Sequence, residues 1–531
     1  DMLEALFLEN NHMAGGECIP CDEDPTAKES LSLAEAFKNM TDDDKERIKI
    51  ESDELRKAQE TPDDPADSAL IPRMSIKDLG PGKTYPQASI DTSHDRPCIR
   101  TEINTHGISY VSRIFNLNNI DADDLYAANL WVQLLREVGT SKHSKEEILA
   151  SSYRYFGVLS ARIINIARFK NDFDVQPYLR VWYSCMENNL SEATALAAEI
   201  LADSVFETPE AKEDVLDTVK QIKLGFEISA TDSGHALAAG RLASYFRPED
   251  VLNQRLQGIE WYRYICDFEK RFDECYETFV KDLKRIVPAI LNSKETLSFA
   301  GSDKAYEGFW HALESADDAY PGLFTNEPCP DKFIVPSPSD KNEAFIIPTN
   351  ITFSALGAHI EGMQSQGHAA WPVISNLLSY NYLWNEIRAK GGAYGTGFSS
   401  ERGTFLRFYT FRDPHVDESL ATIRGAARWL LSQDISQEEI DSSIINIVAK
   451  AYDKPQTRRE QIHYQIMRIL GNVPKDYLLE KRSELLLTNK ETVGMLARDL
   501  NKALETSKVC VIGCAGIINS ATEPLQTSTL F

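Results

Sequence analysis

Residues 178–183, Tyr-Leu-Arg-Val-Trp-Tyr, and residues 405–410, Phe-Leu-Arg-Phe-Tyr-Thr, are two copies of one pattern. Each is a short run of β-branched and aromatic residues with an arginine at the third place, and each is followed by an Ala/Leu-rich helical stretch. Alternation of this kind predicts a strand whose two faces meet different surroundings. Outward from these runs the resemblance continues. Leu297-Ser298-Phe299-Ala300-Gly301 and Val509 to Gly513 read as closing strands, preceded by Ser293-Lys294 and Ser507-Lys508. A repeat of this length is far too long for a solenoid. It predicts a duplicated α+β unit: two homologous domains in tandem, each an antiparallel-rich sheet with helices packed on it.

The rest of the chain is read against that repeat. Residues 98–117 alternate around a turn at His106-Gly107, and 121–137 carry a helical apolar stripe. Strands are expected at 153–168 and 177–186, and helices near 189–203, 209–228, 232–246 and 268–290. In the second copy, 344–358, 393–399 and 404–412 read as strands. Residues 369–389, 416–432, 436–451, 457–470 and 490–505 read as helices. Five prolines between 317 and 342 mark a linker. At the front, Leu31, Ala34, Phe37 and Met40 recur at helical spacing, and Thr41 with Asp44 forms an N-cap with an acid three residues on. A second helix runs to Gln59 and stops at Thr61-Pro62-Asp63-Asp64-Pro65. The expected organisation is a helical hairpin over 1–68, a first α+β domain over 69–316, the linker 317–342 and a second α+β domain over 343–531.

Composition excludes several classes of function. With 42% hydrophobic and 26% charged residues among 531, the chain can bury large cores, and no apolar run is long enough to span a membrane. The net charge of −25 argues against nucleic acid and anionic lipid as partners. Residues 1–90 hold 21 Asp/Glu against 10 Lys/Arg, so 11 of the 25 excess charges sit at the front, as a solvated helical face would have them. Nine scattered cysteines do not form a disulfide framework and fit reducing surroundings, either cytoplasm or an organelle matrix. The first residues, Asp1-Met2-Leu3-Glu4-Ala5-Leu6, resemble the middle of an amphipathic helix rather than a leader, so a longer parent polypeptide is expected.

Zinc hydrolysis on a helix needs two histidines one turn apart beside a glutamate, HxxEH or HExxH. Neither pattern occurs, and no two of the ten histidines are four residues apart. His359 and His368 flank Glu361 at a spacing more typical of a loop, and His235 lies in an Ala-rich helix as a packed or surface histidine. Cys18 and Cys21 form one CxxC without the second pair that structural zinc requires. The segment Leu383-Trp384-Asn385-Glu386-Ile387-Arg388-Ala389-Lys390-Gly391-Gly392-Ala393-Tyr394-Gly395 has a more specific shape. A helix ends at a Lys-Gly-Gly cap and passes directly into a strand. Arg388 and Tyr394 flank that junction, where a guanidinium and a phenol can both donate hydrogen bonds to a peptide carbonyl. Two readings stay open on the residues alone: an oxyanion-binding pair, or an arginine favoured by the helix dipole beside an ordinary strand tyrosine.

The span from Asn385 to Gly395 resembles the Arg/Tyr motif in the last domain of pitrilysin/insulinase-type zinc metallopeptidases. Its Gly-Gly-Ala-Tyr-Gly core is most similar to the presequence protease and falcilysin branch. Thr105 to Tyr110 with Asn116-Leu117 resembles the opening of that branch's third domain. Phe408 to Pro414 resembles the strand after the motif, and Gln59 to Asp63 resembles the end of the hairpin joining the halves. The resemblance implies four related domains in the complete enzyme, with HxxEH and zinc in the first and two halves closing around unfolded peptides. It implies that Arg388 and Tyr394 bind the substrate carbonyl. This chain, lacking HxxEH, is then the carboxyl-terminal, substrate-holding half. It is expected to bind no catalytic zinc, to be inactive alone, and to work with an amino-terminal catalytic half in cis or in trans. A non-catalytic binding or structural subunit is the alternative reading.

Overall fold

The computed structural model describes residues 2–17, 25–61, 64–68 and 70–531. Cys18 and Cys21, and with them the CxxC reading, lie outside the described residues, as do Pro62 and Asp63. The chain divides into two compact units, one ending at Met74 and one running from Ser75 to Phe531.

In the first unit, helices Pro25–Asn39 and Asp42–Glu60 meet at Thr41. The Thr41 side chain accepts from the Asp44 backbone N–H while the Asp44 carboxylate accepts from the Thr41 N–H, a reciprocal cap. The Lys45 ammonium lies over the Phe37 ring. Leu31, Phe37, Ile48 and Leu55 remain exposed, so the helical stripes here build no core.

The second unit contains two six-stranded sheets. The first is formed by β1 (Ala88–Asp91), β2 (Cys98–Thr101), β3 (Ile108–Asn116), β4 (Val158–Arg168), β5 (Asn171–Met186) and β6 (Glu295–Ala300), in the order β1-β2-β6-β3-β5-β4. The second is formed by β7 (Glu343–Ile346), β8 (Thr352–His359), β9 (Gly395–Glu401), β10 (Phe405–Phe411), β11 (Lys508–Gly513) and β12 (Gln526–Thr529), in the order β12-β7-β11-β8-β10-β9. Five strands match in order, β2-β6-β3-β5-β4 against β7-β11-β8-β10-β9, with a parallel β2–β6 pair in one and a parallel β7–β11 pair in the other. The outer strands differ: β1 runs antiparallel to β2, and β12, the last strand of the chain, runs parallel to β7. The registers match as well. In the first sheet Leu297 faces Arg113, which faces Val181. In the second, Val509 faces Leu356, which faces Phe408. Setting Leu297 on Val509 therefore sets Val181 on Phe408, and Tyr178–Tyr183 falls on Phe405–Thr410 residue for residue.

The two faces of these strands have different partners, as period-two alternation requires. Leu179, Val181 and Tyr183 pack in the first repeat's own core, and Leu406 and Phe408 in the second's. The opposite face of each sheet is covered by the other repeat. The long helix Pro209–Ala243 brings Ala238, Ala239 and Leu242 onto Phe345, Ala355, Phe405 and Ile512. Helix Arg458–Leu470 brings Ile462, Ile466 and Leu470 onto Ile114, Ile166, Tyr178 and Ala300. Burying the leucine, isoleucine and phenylalanine side chains among these stabilises by about 1.5–3 kcal/mol each, so neither sheet is complete without its partner repeat. Arg241 and Tyr245 also donate to the buried Glu343 across this junction, at 2.7 Å each.

Several elements differ from expectation. Residues 153–155 end a helix, Lys145–Tyr155, begun by Ser144 capping Glu147. Helices Asp303–Asp318 and Tyr477–Leu486 have no counterpart in the sequence reading. The expected strand 344–358 is two strands separated near Pro348. The expected helices 209–228 and 232–246 are one helix kinked at Ser233. The kink brings Gly234 so close to β8 that a Cβ there would lie 2.4 Å from the Phe353 ring. Among the described residues no helix is long and apolar enough to cross a membrane. The described cysteines are free thiols.

Candidate functional site

Helix Trp371–Leu378 continues without a break as a wider π-helical stretch, Ser379–Lys390. Its buried side, Leu383 and Ile387, anchors it in the second repeat's core. The helix stops because the next residues are glycines. Gly392 has φ +79°, which favours glycine, and a Cβ on Gly391 would sit 2.6 Å from the Ile387 carbonyl. Three backbone bonds close the turn: Gly391 N–H to Glu386 O, Gly392 N–H to Arg388 O and Ala393 N–H to Ile387 O. The Tyr394 N–H then donates to the Phe411 carbonyl at 3.1 Å and starts the pairing of β9 with β10.

This turn brings Arg388 and Tyr394 together, as the sequence segment predicts. The Arg388 guanidinium carbon lies 3.8 Å from the Trp384 ring centroid and 5.4 Å from that of Tyr394. Tyr394 is 65% exposed and rests edge-on against Phe411, with centroids 5.6 Å apart. Glu386, two residues before Arg388, is bound by Lys390 at 2.7 Å. Among the described residues neither the Arg388 guanidinium nor the Tyr394 hydroxyl has a hydrogen-bonding or ion-pair partner. The result is a fixed pair of donors, held by rings and backbone, whose N–H and O–H groups are open to an acceptor.

Trp384 is the residue that reading the chain did not single out. It stands four residues before Arg388, a spacing that brings helical side chains together, so the signal was present. Phe411 and His235 complete the support. His235 comes from the kinked helix of the first repeat and lies edge-on to Phe411 at 4.7 Å, with Tyr409 at 5.4 Å. Burial and the Arg407 charge push its pKa below the ordinary histidine value, so it packs as a neutral ring.

The other histidines weighed as ligands, His359 and His368, face different carboxylates. The His368 Nδ1 accepts from the Ala370 N–H at 3.0 Å, and its Nε2 faces Glu484 at 3.4 Å. The His359 Nδ1 lies 3.7 Å from Glu361. Among the described residues no group of three His, Cys, Asp or Glu side chains is arranged to hold a metal ion.

Comparison with known proteins agrees with this architecture. Residues 21–268 match the family described as associated with peptidase M16, subgroup C, and residues 342–515 match the PreP C-terminal domain. Presequence protease 1, chloroplastic/mitochondrial, of Arabidopsis thaliana is 23% identical over 98% of this chain and 48% of its own length. Protein HypA of Clostridium perfringens is 22% identical over 97% of this chain and 52% of its own length. The chain thus spans about half the length of these relatives. A peptidase M16 inactive domain from Pseudomonas fluorescens shares the fold with TM-score 0.55, 16% identity and coverage of 83% of this chain and all of that one. A protease from Helicobacter pylori does so with TM-score 0.53, 13% identity and coverage of 81% and 100%.

Proposed function

We propose, from the match of residues 21–268 to the family associated with peptidase M16, subgroup C, and of residues 342–515 to the PreP C-terminal domain, that this chain is the substrate-holding half of a zinc oligopeptidase. In this reading it works with an amino-terminal catalytic half, in cis or in trans, on unfolded peptides, in the cytoplasm or an organelle matrix. Its domains would be the third and fourth of the complete enzyme. The observation that carries the proposal is the open donor pair of Arg388 and Tyr394 beside the Gly391-Gly392 turn.

The chemistry of the pair follows from its geometry. A peptide carbonyl gains negative charge as it is attacked, and donors fixed beforehand bind the charged oxygen better than the neutral one. Arg388 has nothing to release before it donates, because Glu386 is taken by Lys390. The Trp384 and Tyr394 rings limit its motion, which lowers the ordering cost when an acceptor arrives. One such donor is worth about 2.7–4 kcal/mol of barrier. Zinc in such a peptidase supplies an activated water. The described residues here do not fit that ion, so its ligands are assigned to the other half and no step in this chain runs through it.

The test is turnover of an unfolded peptide by the complete two-half enzyme carrying Tyr394→Phe or Arg388→Gln. The proposal expects a loss of about 10²–10³ in kcat for Tyr394→Phe. Wild-type turnover in both variants would leave the chain a binding subunit only.

A further inference from the structure

The two copies of the repeated strand differ at their arginines. Arg407 in β10 pairs with Glu401 at 3.0 Å, and its neighbour across the ladder is Ser399. Arg180 occupies the same place in β5, and the residue opposite it is another arginine, Arg162 in β4. Like charges placed directly across two strands repel. Helix Arg458–Leu470 adds a third cation, Arg459, from the second repeat. All three guanidiniums surround one indole: Arg180, Arg459 and Arg162 lie 5.1, 5.7 and 5.9 Å from the Trp182 ring centroid.

No carboxylate among the described residues balances them. Among the described residues none lies within ion-pair distance of Arg162, Arg180 or Arg459. Arg180 is only 8% exposed, yet its partners are neutral. Its Nε and Nη2 donate to the Ser112 hydroxyl at 3.3 and 3.2 Å, and its Nη1 donates to the His463 Nδ1 at 2.6 Å. A buried guanidinium ordinarily has a carboxylate beside it, because its desolvation is otherwise uncompensated. Burial and the Arg459 charge bring Arg180 down to about 10, and burial with Arg180 and Arg459 holds His463 below its ordinary value as a neutral acceptor. In a protein with 25 excess negative charges, such an unneutralised cluster is a local inversion of sign.

We infer that Arg162, Arg180 and Arg459, with Trp182 as a platform, form a subsite for a carboxylate of a bound peptide, either its free carboxyl terminus or an acidic side chain. Arg162 and Arg459 are exposed and have donors free to reach the anion. Arg180 supplies fixed positive charge from beneath, and the Trp182 face accommodates the adjoining chain. Planar guanidiniums suit a carboxylate because each can donate two parallel hydrogen bonds. The subsite rests on the peptide-holding reading but goes beyond it, since it assigns a charge preference to residues of both repeats that are not part of the Arg388/Tyr394 motif.

The test is equilibrium binding of three unfolded peptides of one sequence to the whole chain: neutral with an amidated terminus, neutral with a free carboxylate, and amidated with glutamates replacing glutamines. The expected result is that at least one carboxylate-bearing peptide binds about tenfold more tightly than the neutral one at low salt. The R162Q/R459Q variant should lose that advantage and keep the neutral affinity. Both replaced side chains are exposed and without ion-pair partners, so the fold should survive, as circular dichroism would verify. Which peptide gains tells terminus from side chain. Equal affinity for all three, or a preference that persists in the variant, overturns the subsite while leaving the holding role intact. Absence of binding by all three peptides sinks the holding role itself. Protection of the wild-type chain by inorganic sulfate alone, with no peptide preference, overturns the proposal in favour of an adventitious ion only.

Discussion

His235 lies edge-on against Phe411, ring centroids 4.7 Å apart, and so ties the long helix of the first repeat to the strand that supports Tyr394. The contact exists because the helix kinks at Ser233 and carries a glycine, Gly234, where it crosses Phe353. The donor pair is therefore braced from both repeats. Gly234→Ala should force the Phe353 ring or the helix aside and destabilise the chain by about 1–3 kcal/mol. Denaturant titration reads this directly, and an unchanged midpoint would mean that the crossing yields at no cost.

Trp384→Ala should remove the ring under Arg388 without touching the buried side of the helix. A cation–π contact of this kind is worth about 0.5–2 kcal/mol, which in the complete enzyme should appear as a fall of roughly threefold or more in kcat/KM. The thermal midpoint should stay near the wild-type value. A large fall in stability with no kinetic defect would instead assign Trp384 to packing.

The first repeat carries a buried ionic knot. Arg113 donates to Glu295 at 2.6 Å and to Asp317 at 2.7 Å, and Arg96 reaches both carboxylates. Glu295→Gln should cost about 3–5 kcal/mol, because it leaves buried guanidinium charge uncompensated. Urea midpoints compared between wild type and variant test it; a difference below the experimental error would show the knot to be dispensable.

The same carboxylate sets a pH dependence. Burial pushes Glu295 up, but Arg113 and Arg96 more than offset it and hold its pKa below the ordinary glutamate value. The lowered group stabilises the fold above the unfolded glutamate pKa, and that contribution is lost as pH falls through the folded value. Stability should drop on acidification below the ordinary glutamate range, with a shallower slope in Glu295→Gln. Parallel slopes would place the acid sensitivity elsewhere.

The purified chain should bind less than stoichiometric zinc and leave unfolded peptides uncleaved, as expected where no three-ligand cluster occurs among the described residues. Elemental analysis after dialysis decides it. One zinc per chain would bring Cys18 and Cys21 back into consideration.

Much of this protein is legible in the chain. The likeness of Tyr178–Tyr183 to Phe405–Thr410 was readable because both copies alternate in step, turning Leu179 and Val181, or Leu406 and Phe408, to the repeat's own core. The Arg388–Tyr394 junction was readable because two glycines are needed where the helix ends and the strand begins. Helix Lys145–Tyr155 had a visible cap in Ser144 but is short and polar, with a weak apolar period, whereas Asp303–Asp318 was legible from its Ser302 cap and from Ala305, Tyr306, Phe309, Trp310 and Leu313 at helical spacing.

What the sequence determined by itself was local: which residues alternate, where a helix must stop, and which donors flank that stop. The exchange of covering helices between the repeats was decided by the tertiary structure alone. Ala238 and Ile466 look like ordinary core residues in the chain, and nothing in their neighbours tells which sheet they cover. The different fates of Arg180 and Arg407 were hidden for the same reason. Both occupy the third place of one pattern, and only the folded chain decides that Glu401 comes to Arg407 while Arg162 and Arg459 come to Arg180. Charge acts through space, over distances that strand pairing and helix docking set, so the sign of an arginine's surroundings is a property of the fold.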